Sequence, residues 1–145
     1  MERWGRVIAE YVADKSAWAR LDKPSVAAAL VPLIDRGVVG TCGVIDLEIL
    51  YSARNGIEHM QMRTERRYSL PRLAMDDHVW DRAIEIQGEL ASEGRHRACS
   101  VVDLLVAVTA ERHKVTILHY DHDYDIISSV TRQKTQWIVP AGSAD

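Results

Sequence analysis

The stretch VTILHYDHDYDII, residues 115–127, joins a short apolar run to three aspartates at every second position. Residues 115–118 predict a buried strand, because β-branched and aliphatic side chains fill most of the run. Asp121, Asp123 and Asp125 follow directly, and like charges this close repel one another unless a cation or solvent receives them. A buried strand that ends in acids is typical of α/β folds, whose binding sites lie beyond the carboxyl ends of the strands.

Outward from this stretch, apolar segments alternate between strand and helix patterns. Strands are predicted at residues 7–13, 38–41, 70–74, 115–118 and 136–139. Helices are predicted at residues 25–36, 46–55, 58–68, 77–92 and 100–113. The alternation predicts an α/β fold, with a central parallel sheet of about five strands flanked by helices on both faces.

Length and cysteine content narrow the class of protein. The 145 residues predict a single domain over 1–145, long enough to bury a core without disulfides. Cys42 and Cys99 form no CxxC pair, so neither a disulfide framework nor a structural zinc site is expected. No apolar run has the length that spans a membrane, and the first residues lack a signal-peptide pattern. We therefore expect a cytoplasmic protein without membrane contact.

Four acids fall where the predicted fold would gather them. Asp14 ends the first predicted strand and Asp121 ends the fourth, so the two meet if these strands are neighbours. Glu48 and Asp103 lie near helix starts that can point at the same crevice. Four carboxylates form a hard, oxygen-rich site suited to Mg²⁺ or Mn²⁺. The net charge of -3 argues against a general nucleic-acid binder, but acids gathered in one pocket would leave the outer surface near neutral or locally basic.

Helix capping is the competing interpretation for these acids. Asp14 could cap the helix that follows it, and Asp46 is interpreted as an N-cap with Glu48 in the first turn. Ser100 followed by Asp103 resembles a capping box with aspartate in place of glutamate. Against capping alone, a very apolar helix follows Asp103, and a carboxylate at the mouth of a buried helix needs a partner.

The acidic stretch contains further polar residues. Asp123 is interpreted either as a metal ligand or as a solvated turn residue, and Asp125 is interpreted as solvated. His119 and His122 are interpreted as a histidine at the edge of the core and one at the surface. No single residue identifies the class of protein. The ordered set Asp, Glu, Asp, Asp on alternating strands and helices does identify it.

Four segments together resemble the acidic motifs of PIN-domain ribonucleases, and most closely those of VapC toxins from bacterial type II toxin–antitoxin pairs. The segments are ADKSAWAR, DLEILYSAR, SVVDLLVAVTA and LHYDHDYDII, and TRQKTQWIVPAGS resembles the last strand and tail of that group. The resemblance implies that Asp14, Glu48, Asp103 and Asp121 are catalytic acids that bind the metal, with Asp123 as a further ligand. It also implies a PIN-like three-layer sandwich, with the single domain acting as a ribonuclease.

The same resemblance implies the chemistry and the partners. VapC toxins are metal-dependent endoribonucleases that cut particular structured RNAs, such as transfer RNA or a ribosomal RNA loop, and leave a 3′-hydroxyl and a 5′-phosphate. They usually form homodimers, and a cognate VapB antitoxin inhibits them. For this chain the resemblance implies a Mg²⁺ or Mn²⁺ cofactor, an RNA substrate, a homodimer and a VapB-type antitoxin. Tyr124 stands where phenylalanine is more usual, a departure expected to matter little.

Basic residues must steer RNA past the negative charge of the acids. Ser16, Lys15 and Arg20 are predicted to bind substrate, and Ser16 also matches a small polar residue beside the first acid of the family motif. Further candidates are Lys23, Arg63, Arg66, Arg67, Arg95 and Arg97. At least half of the candidate arginines are expected to form a solvated helix face. Trp18 could stack on bases, whereas core packing is predicted for Trp80.

Three other functions stay open on the sequence. A metal phosphohydrolase could use His122 and Asp123, although that class is helical and residues 115–118 predict a strand. A receiver-like α/β module could hold Mg²⁺ beside a phosphorylated aspartate, and it would not need Glu48. A PIN fold could also bind a partner without catalysis, and the intact set of acids weighs against that alternative.

Overall fold

A four-stranded parallel sheet forms the centre of the computed structural model, which describes residues 8–145. Its strands are β1 (Tyr11–Ala13), β2 (Val39–Gly40), β3 (Thr116–His119) and β4 (Thr135–Trp137). They lie in the order β2-β1-β3-β4, and each pairing is parallel. Because the strand order reverses between β1 and β3, their carboxyl ends border the crevice in which α/β sheets bind ligands.

Helices cover both faces of this sheet. They are α1 (Lys15–Trp18), α2 (Pro24–Asp35), α3 (Gly43–Leu50), α4 (Gly56–Ser69), α5 (Asp77–Ser92), α6 (Val101–His113) and α7 (Asp123–Thr131). Val12 and Ile117 face a core with α3, α5, α6 and α7, whereas Ala13 and Leu118 face a core with α1 and α2. Neighbouring strand residues alternate in this way because their side chains point to opposite faces. The predicted α/β fold, with a parallel sheet between helical layers, is confirmed.

Helix α6 is buried along most of its length. Every residue from Asp103 to Ala110 is buried, and the one hydroxyl among them, on Thr109, donates to Leu105 O at 2.8 Å. A helix that is apolar on all sides must be covered by its neighbours, here α5, α7 and the sheet. The apolar pattern therefore predicted both this helix and its burial. Apolar as α6 is, no helix within residues 8–145 has the length and hydropathy needed to cross a membrane.

The pairing of β1 with β3 sets the position of the acids. β1 lies in register with residues 116–118 of β3, and the Asp14 amide continues the ladder by donating to Leu118 O at 2.9 Å. Asp14 therefore leaves β1 at the same edge of the sheet at which Asp121 follows β3. The condition under which these two acids would meet, that the first and fourth predicted strands are neighbours, is therefore fulfilled.

Two predicted strands differ from the structure. The strand predicted at residues 7–13 is shortened to the three residues of β1, and residue 7 lies outside the described residues. The weak strand predicted at 70–74 makes an isolated bridge at Arg72, so the sheet has four strands rather than about five. Pro71 has no amide hydrogen with which to extend a ladder there.

The helix predicted at residues 46–55 begins and ends earlier. It starts at Gly43 and stops at Leu50. Asn55 does not end it, but caps α4 by accepting the Glu58 amide at 2.8 Å. Asparagine before glycine marks a helix start as readily as a helix end, because its side-chain oxygen can accept an amide three residues on.

Helix α7 was not among the predicted elements, and α1 was expected only on the interpretation of Asp14 as a helix cap. Asp123 and Asp125 lie in the first turn of α7, where the positive end of the helix dipole favours acids. Asp125 is exposed, as predicted, but it belongs to a helix rather than to a turn. The prediction for Trp80 is wrong, because this side chain is 53% exposed on α5. Trp18 is half-buried, and its indole N–H donates to Ala13 O at 3.1 Å.

A buried arginine ties the elements around β2 together. Arg66 of α4 donates from Nε to Asp46 Oδ1 at 2.9 Å and from Nη2 to the Thr41 hydroxyl at 3.0 Å. Its guanidinium also lies over the Trp18 ring, 4.9 Å from the ring centre. The interpretation of Asp46 as an N-cap is therefore wrong, since Cys42 occupies the cap position and Asp46 is the counter-ion of Arg66. Removal of one partner from such a buried pair leaves the other charge uncompensated.

Replacing Asp46 by alanine should lower the free energy of unfolding by about 3 kcal/mol, because the buried Arg66 guanidinium loses its counter-ion. Urea unfolding followed by circular dichroism measures the change. Glu10→Ala is the matched control, since it removes an acid from the exposed pair with Arg36 and should change stability little. Equal losses in the two variants would contradict a structural role for the Arg66–Asp46 pair.

Candidate active site

Asp14 lies where β1 ends and α1 begins. Its Oδ2 accepts the Ser16 amide at 2.9 Å and the Ser16 hydroxyl at 2.7 Å, so the predicted cap of α1 is confirmed. The Ser16 hydroxyl also accepts the Tyr120 amide at 2.9 Å, which ties α1 to the end of β3. The other oxygen of this buried carboxylate, Oδ1, accepts the Tyr124 hydroxyl at 2.8 Å. Capping therefore occupies one oxygen and leaves the second directed into the molecule.

Asp121 and Asp123 lie on the turn that leads from β3 into α7. Asp121 Oδ1 accepts the Asp123 amide at 2.9 Å, and the Asp121 amide donates to His119 Nδ1 at 3.2 Å. Asp123 Oδ2 accepts the Ser100 amide at 3.2 Å, which joins the turn to the start of α6. Burial raises the pKa of Asp121 above its ordinary value, against the lowering effect of the Asp123 amide. The charges of Asp123 and Asp14 raise this pKa further.

Asp103 lies in the first turn of α6. The Ser100 hydroxyl caps the helix by accepting the Asp103 amide at 3.0 Å, which confirms this half of the predicted capping box. The Ser100 amide donates to Asp123 instead of closing the box, and the Asp103 side chain is buried. Burial raises the pKa of Asp103 to about 8, with the neighbouring Asp123, Asp14 and Asp121 adding to the rise. Without a cation, this environment therefore favours the protonated form of Asp103 more than water does.

Three of these carboxylates form a compact group. Asp103, Asp121 and Asp123 each offer an oxygen atom, and these atoms all lie within 4.8 Å of one another. Mg²⁺ and Mn²⁺ prefer such hard oxygen ligands, whereas zinc favours nitrogen and sulfur. The raised pKa values of Asp103 and Asp121 show that negative charge is costly at this place unless a cation offsets it. The donor set therefore fits a divalent metal ion.

Tyr124 is the residue of this site whose importance the sequence did not reveal. Its side chain is 0% exposed, and its hydroxyl lies 2.8 Å from Asp14 Oδ1 and 3.2 Å from Asp103 Oδ1. Burial, with the charges of both acids, raises the tyrosine pKa well above its usual range, so the hydroxyl keeps its proton and can donate it. The expectation that tyrosine in place of phenylalanine matters little therefore stays a prediction, and the contacts of the hydroxyl with Asp14 and Asp103 argue against it. The position beside Asp123 was the only signal for it.

Glu48 lies beside Asp14 rather than within the compact group. It is half-buried on α3, in the second turn rather than the first. Burial raises its pKa, the charge of Asp14 raises it further, and the charge of Lys15 partly offsets both. The structure thus brings Glu48 within electrostatic reach of Asp14, but the group of three mutually close carboxylates does not include it.

The basic residues of the predicted substrate-binding set occupy different surroundings. Lys15 is exposed at the start of α1, close enough to Glu48 to lower the pKa of that acid. Arg20 donates from Nε to Ala144 O at 3.1 Å, and its guanidinium lies 4.3 Å from the centre of the Tyr120 ring. Arg20 therefore holds the segment after β4 against α1, whereas Lys15 faces solvent beside the acids.

Of the two histidines of the acidic stretch, His122 lies at the surface as predicted, whereas His119 lies within the core rather than at its edge. His119 is fully buried against the Tyr124 ring, with 4.9 Å between ring centres, and His122 is mostly exposed. His122 Nδ1 lies 3.4 Å from Asp125 Oδ2, and His122 is not part of the group of possible metal ligands that contains Asp123. The His122–Asp123 metal pair of a phosphohydrolase is therefore not assembled, and the parallel sheet does not match that helical class.

Comparison with known proteins places these acids in a family. The PIN-domain profile matches residues 11–129. Ribonuclease VapC21 of Mycobacterium tuberculosis is 42% identical over 134 residues, which cover 92% of this chain and 97% of the relative. Ribonuclease VapC51 of the same organism is 39% identical over 137 residues, which cover 94% and 98% of the two chains.

Solved structures share the fold at low sequence identity. The structure of VapBC2 from Rickettsia felis bound to a DNA fragment from its promoter superposes with a TM-score of 0.71 at 13% identity, over 88% of this chain and 98% of that chain. VapBC-1 from nontypeable Haemophilus influenzae superposes with a TM-score of 0.68 at 13% identity, over 88% and 97%. The chain therefore belongs to the PIN-domain family, as a ribonuclease of the VapC type.

Proposed function

We propose that this VapC-type ribonuclease is the toxin of a type II toxin–antitoxin pair and cuts a specific structured RNA, either transfer RNA or ribosomal RNA. We propose Mg²⁺ or Mn²⁺ as its cofactor. The observation that carries both is the group formed by Asp103, Asp121 and Asp123, whose oxygens lie within 4.8 Å of one another at the edge of the sheet where Asp14 ends β1. The names of two relatives at 39% and 42% identity support ribonuclease activity.

The acids would bind the ion from two sides. Asp103, Asp121 and Asp123 would supply ligands from the compact group, and Asp14 with Glu48 would complete the set from the β1 side. When bound, the ion would lower the pKa of a coordinated water and offset the charge that builds on the phosphate.

Neighbouring side chains would keep the ligands in place before the ion arrives. Ser16 holds one oxygen of Asp14 through two hydrogen bonds, and Tyr124 lies between the second oxygen and Asp103. Such outer contacts fix the orientation of metal ligands. Lys15, exposed beside the acids, would meet the RNA backbone, while Arg20 would contribute mainly by holding Ser16 and the chain after β4.

We also propose a VapB-type antitoxin as partner. A cleft of about 280 Å³ between α1, α2, α3 and α4 supports this role. Its apolar lining residues are Trp18, Leu21, Ile34, Ile49, Met62 and Leu70. An amphipathic antitoxin helix would fit such a groove, and an arginine beyond it would pair with the carboxylates in fork geometry. A homodimer is proposed on the resemblance to VapC toxins alone.

Purified protein should cut total RNA in the presence of Mn²⁺ or Mg²⁺ and leave it intact in EDTA. Asp14→Asn should lower the cleavage rate at least roughly a hundredfold, because it weakens the hold on the metal that polarises the phosphate. Sequencing of the cut ends measures the reaction and identifies the site.

Asp35→Asn is the matched control, since it makes the same change at an exposed position near the end of α2 and should leave the rate unchanged. Cleavage that persists in EDTA contradicts the metal mechanism. Intact RNA with Mn²⁺ present would instead favour a PIN fold that binds a partner without catalysis.

Asp103→Asn should make the metal-free protein more stable at neutral pH. The folded-state pKa of Asp103, about 8, lies above its ordinary value of 3.8. The group therefore favours folding while it is protonated, and this contribution is lost as the pH rises from about 4 through about 8. The asparagine side chain does not lose a proton in this range. The free energy of unfolding of the variant should therefore exceed that of the wild type by an amount that grows with pH to about 0.5–2 kcal/mol.

Urea unfolding at pH 5, 7 and 8.5 in EDTA measures this difference. Added Mg²⁺ should shrink or reverse it, because the wild type gains more binding free energy than a variant that lacks one ligand. A difference that does not change with pH would mean that Asp103 carries no raised pKa.

Tyr124→Phe should lower the stability of the metal-free protein by about 1–3 kcal/mol, because the buried side chains of Asp14 and Asp103 lose the hydroxyl that lies between them. Mn²⁺ should restore part of the loss, since the cation replaces the missing donor. The metal-induced rise in melting temperature should therefore be larger in the variant than in the wild type.

Tyr120→Phe is the control for this comparison. Its hydroxyl is also bonded, but to Asp145 and to the Ala144 amide, away from the compact group of acids. It should lose stability without any change in the metal-induced shift. The same shift in all three proteins would remove the Tyr124 hydroxyl from the site.

A further inference from the structure

A groove with four arginines among its fourteen lining residues lies on the face of α4 next to the apolar cleft. It has a volume of about 1060 Å³ and runs between α3, α4 and the segment that follows α4. Its charged lining residues are Arg63, Arg66, Arg67, Arg72 and Asp46. Because the whole chain carries a net charge of -3, this arginine groove reverses the overall sign locally.

Most of the positive charge in the arginine groove is not needed by the fold. Arg66 is buried and paired with Asp46, so this pair adds little net charge. Arg72 is mostly exposed and lies 3.5 Å from the same aspartate. Arg63 and Arg67 are exposed, and neither has an ion-pair partner within the described part of the chain. The uncompensated charge therefore lies on Arg63, Arg67 and, in part, Arg72.

The spacing of these arginines is unfavourable for an isolated helix. Arg63 and Arg67 stand four residues apart on α4, and like charges at this spacing destabilise a helix by a few tenths of a kcal/mol. The negative end of the helix dipole accounts for Arg67 in the last turn, but not for Arg63 one turn earlier. An anion bound between the two side chains would remove the repulsion.

The uncharged lining suits a nucleotide chain rather than a small anion. Tyr68, at the rim, is 93% exposed, and Leu47, on the opposite wall, is 72% exposed. An exposed aromatic ring beside a positive groove is the usual platform for an unpaired base, because every base has a face that can stack. The groove is also far larger than one phosphate needs.

Helix α3 separates the arginine groove from the acids. Gly43, Asp46, Leu47 and Leu50 line the groove, and this spacing places them on one face of α3. Glu48 projects from roughly the opposite face, toward Asp14. Because a helix with its side chains is about 10 Å across, one folded RNA could reach both sites at once.

We propose that the arginine groove binds the sugar–phosphate backbone of a segment of structured RNA other than the one being cut. This role rests on the proposed ribonuclease function, and it explains how a chain of net negative charge holds RNA beside a cluster of carboxylates. Arg63, Arg67 and Arg72 contact phosphates, and Tyr68 stacks on a neighbouring base. Two separate contacts also select folded RNA over short single strands, which cannot span α3.

An acidic peptide is the other occupant that the charge would accept. RNA is favoured because the groove combines an exposed aromatic ring with charges spread along its length, on two turns of α4 and on the following segment. The two occupants make different predictions for RNA affinity, and the test below separates them.

The test compares the double variant Arg63→Gln/Arg67→Gln with the matched control Lys114→Gln/Lys134→Gln. The control removes the same charge from exposed lysines at the amino ends of β3 and β4, at the opposite edge of the sheet from the acids. Fluorescence anisotropy in EDTA measures the binding of labelled bulk transfer RNA and of a six-nucleotide oligouridylate over a range of salt concentrations. Cleavage of both probes is then followed with Mn²⁺.

The arginine variant should bind transfer RNA about tenfold more weakly, with the slope of log affinity against log salt reduced by roughly 1–2, while the control matches the wild type. Its KM for transfer RNA should rise with kcat unchanged, and its cleavage of the oligouridylate should not change. Unchanged affinity of the arginine variant for transfer RNA would overturn the assignment of the groove as an RNA-binding site. This holds also if the variant binds an acidic protein more weakly, since the groove would then bind an acidic peptide instead. Equal losses in both double variants would also overturn it, because net charge alone would then explain the effect.

Failure of the proposed function would look different. If the wild type cuts neither probe nor total RNA with Mn²⁺ but the arginine variant still loses transfer RNA binding, the groove binds RNA and the ribonuclease assignment is wrong. If the wild type cuts RNA and the variant binds it equally well, the ribonuclease assignment stands and the groove assignment is wrong.

Discussion

The parallel pairing of β1 with β3 is the contact on which the rest of the structure depends. It brings together two strands that lie far apart in the chain, and it places Asp14 and Asp121 at one edge of the sheet. Helix α6 then packs beneath this edge and delivers Asp103 from its first turn. Because strand order reverses at this pairing, α1 and α7 leave the ends of β1 and β3 toward opposite faces of the sheet, and a crevice lies between them.

Gathering carboxylates in this way costs stability that the fold must supply elsewhere. Burial and mutual repulsion raise the pKa values of Asp103 and Asp121, so a negative charge on either acid is costly unless a cation offsets it. The surrounding contacts limit the cost. Ser16 and Tyr124 donate to Asp14, and the amide of Ser100 donates to Asp123. The extensive apolar core around α6 supplies the remaining stability.

Charged side chains have different roles in this molecule according to whether they are buried or exposed. Arg66 and Asp46 form a buried pair that joins α3, α4 and the end of β2, so these charges serve the fold. Arg63 and Arg67, a few residues along the same helix, are exposed and face a groove. The arginines of this run therefore include one that stabilises the fold and others that remain available for binding. The net charge of the chain reveals neither the acidic crevice nor the basic groove.

The sequence by itself determined the alternation of strands and helices, the burial of α6 and the order of the acids along the chain. These features follow from local periodicity and from the residues at the ends of apolar segments. Both depend only on residues that are close together in the sequence. Only the tertiary structure decided that Asp46 is a counter-ion rather than a cap, that the Tyr124 hydroxyl lies between Asp14 and Asp103, and that Glu48 stands apart from the compact group. Each depends on which polar atoms meet across elements distant in the chain, because a buried charge takes the partner that packing brings within reach.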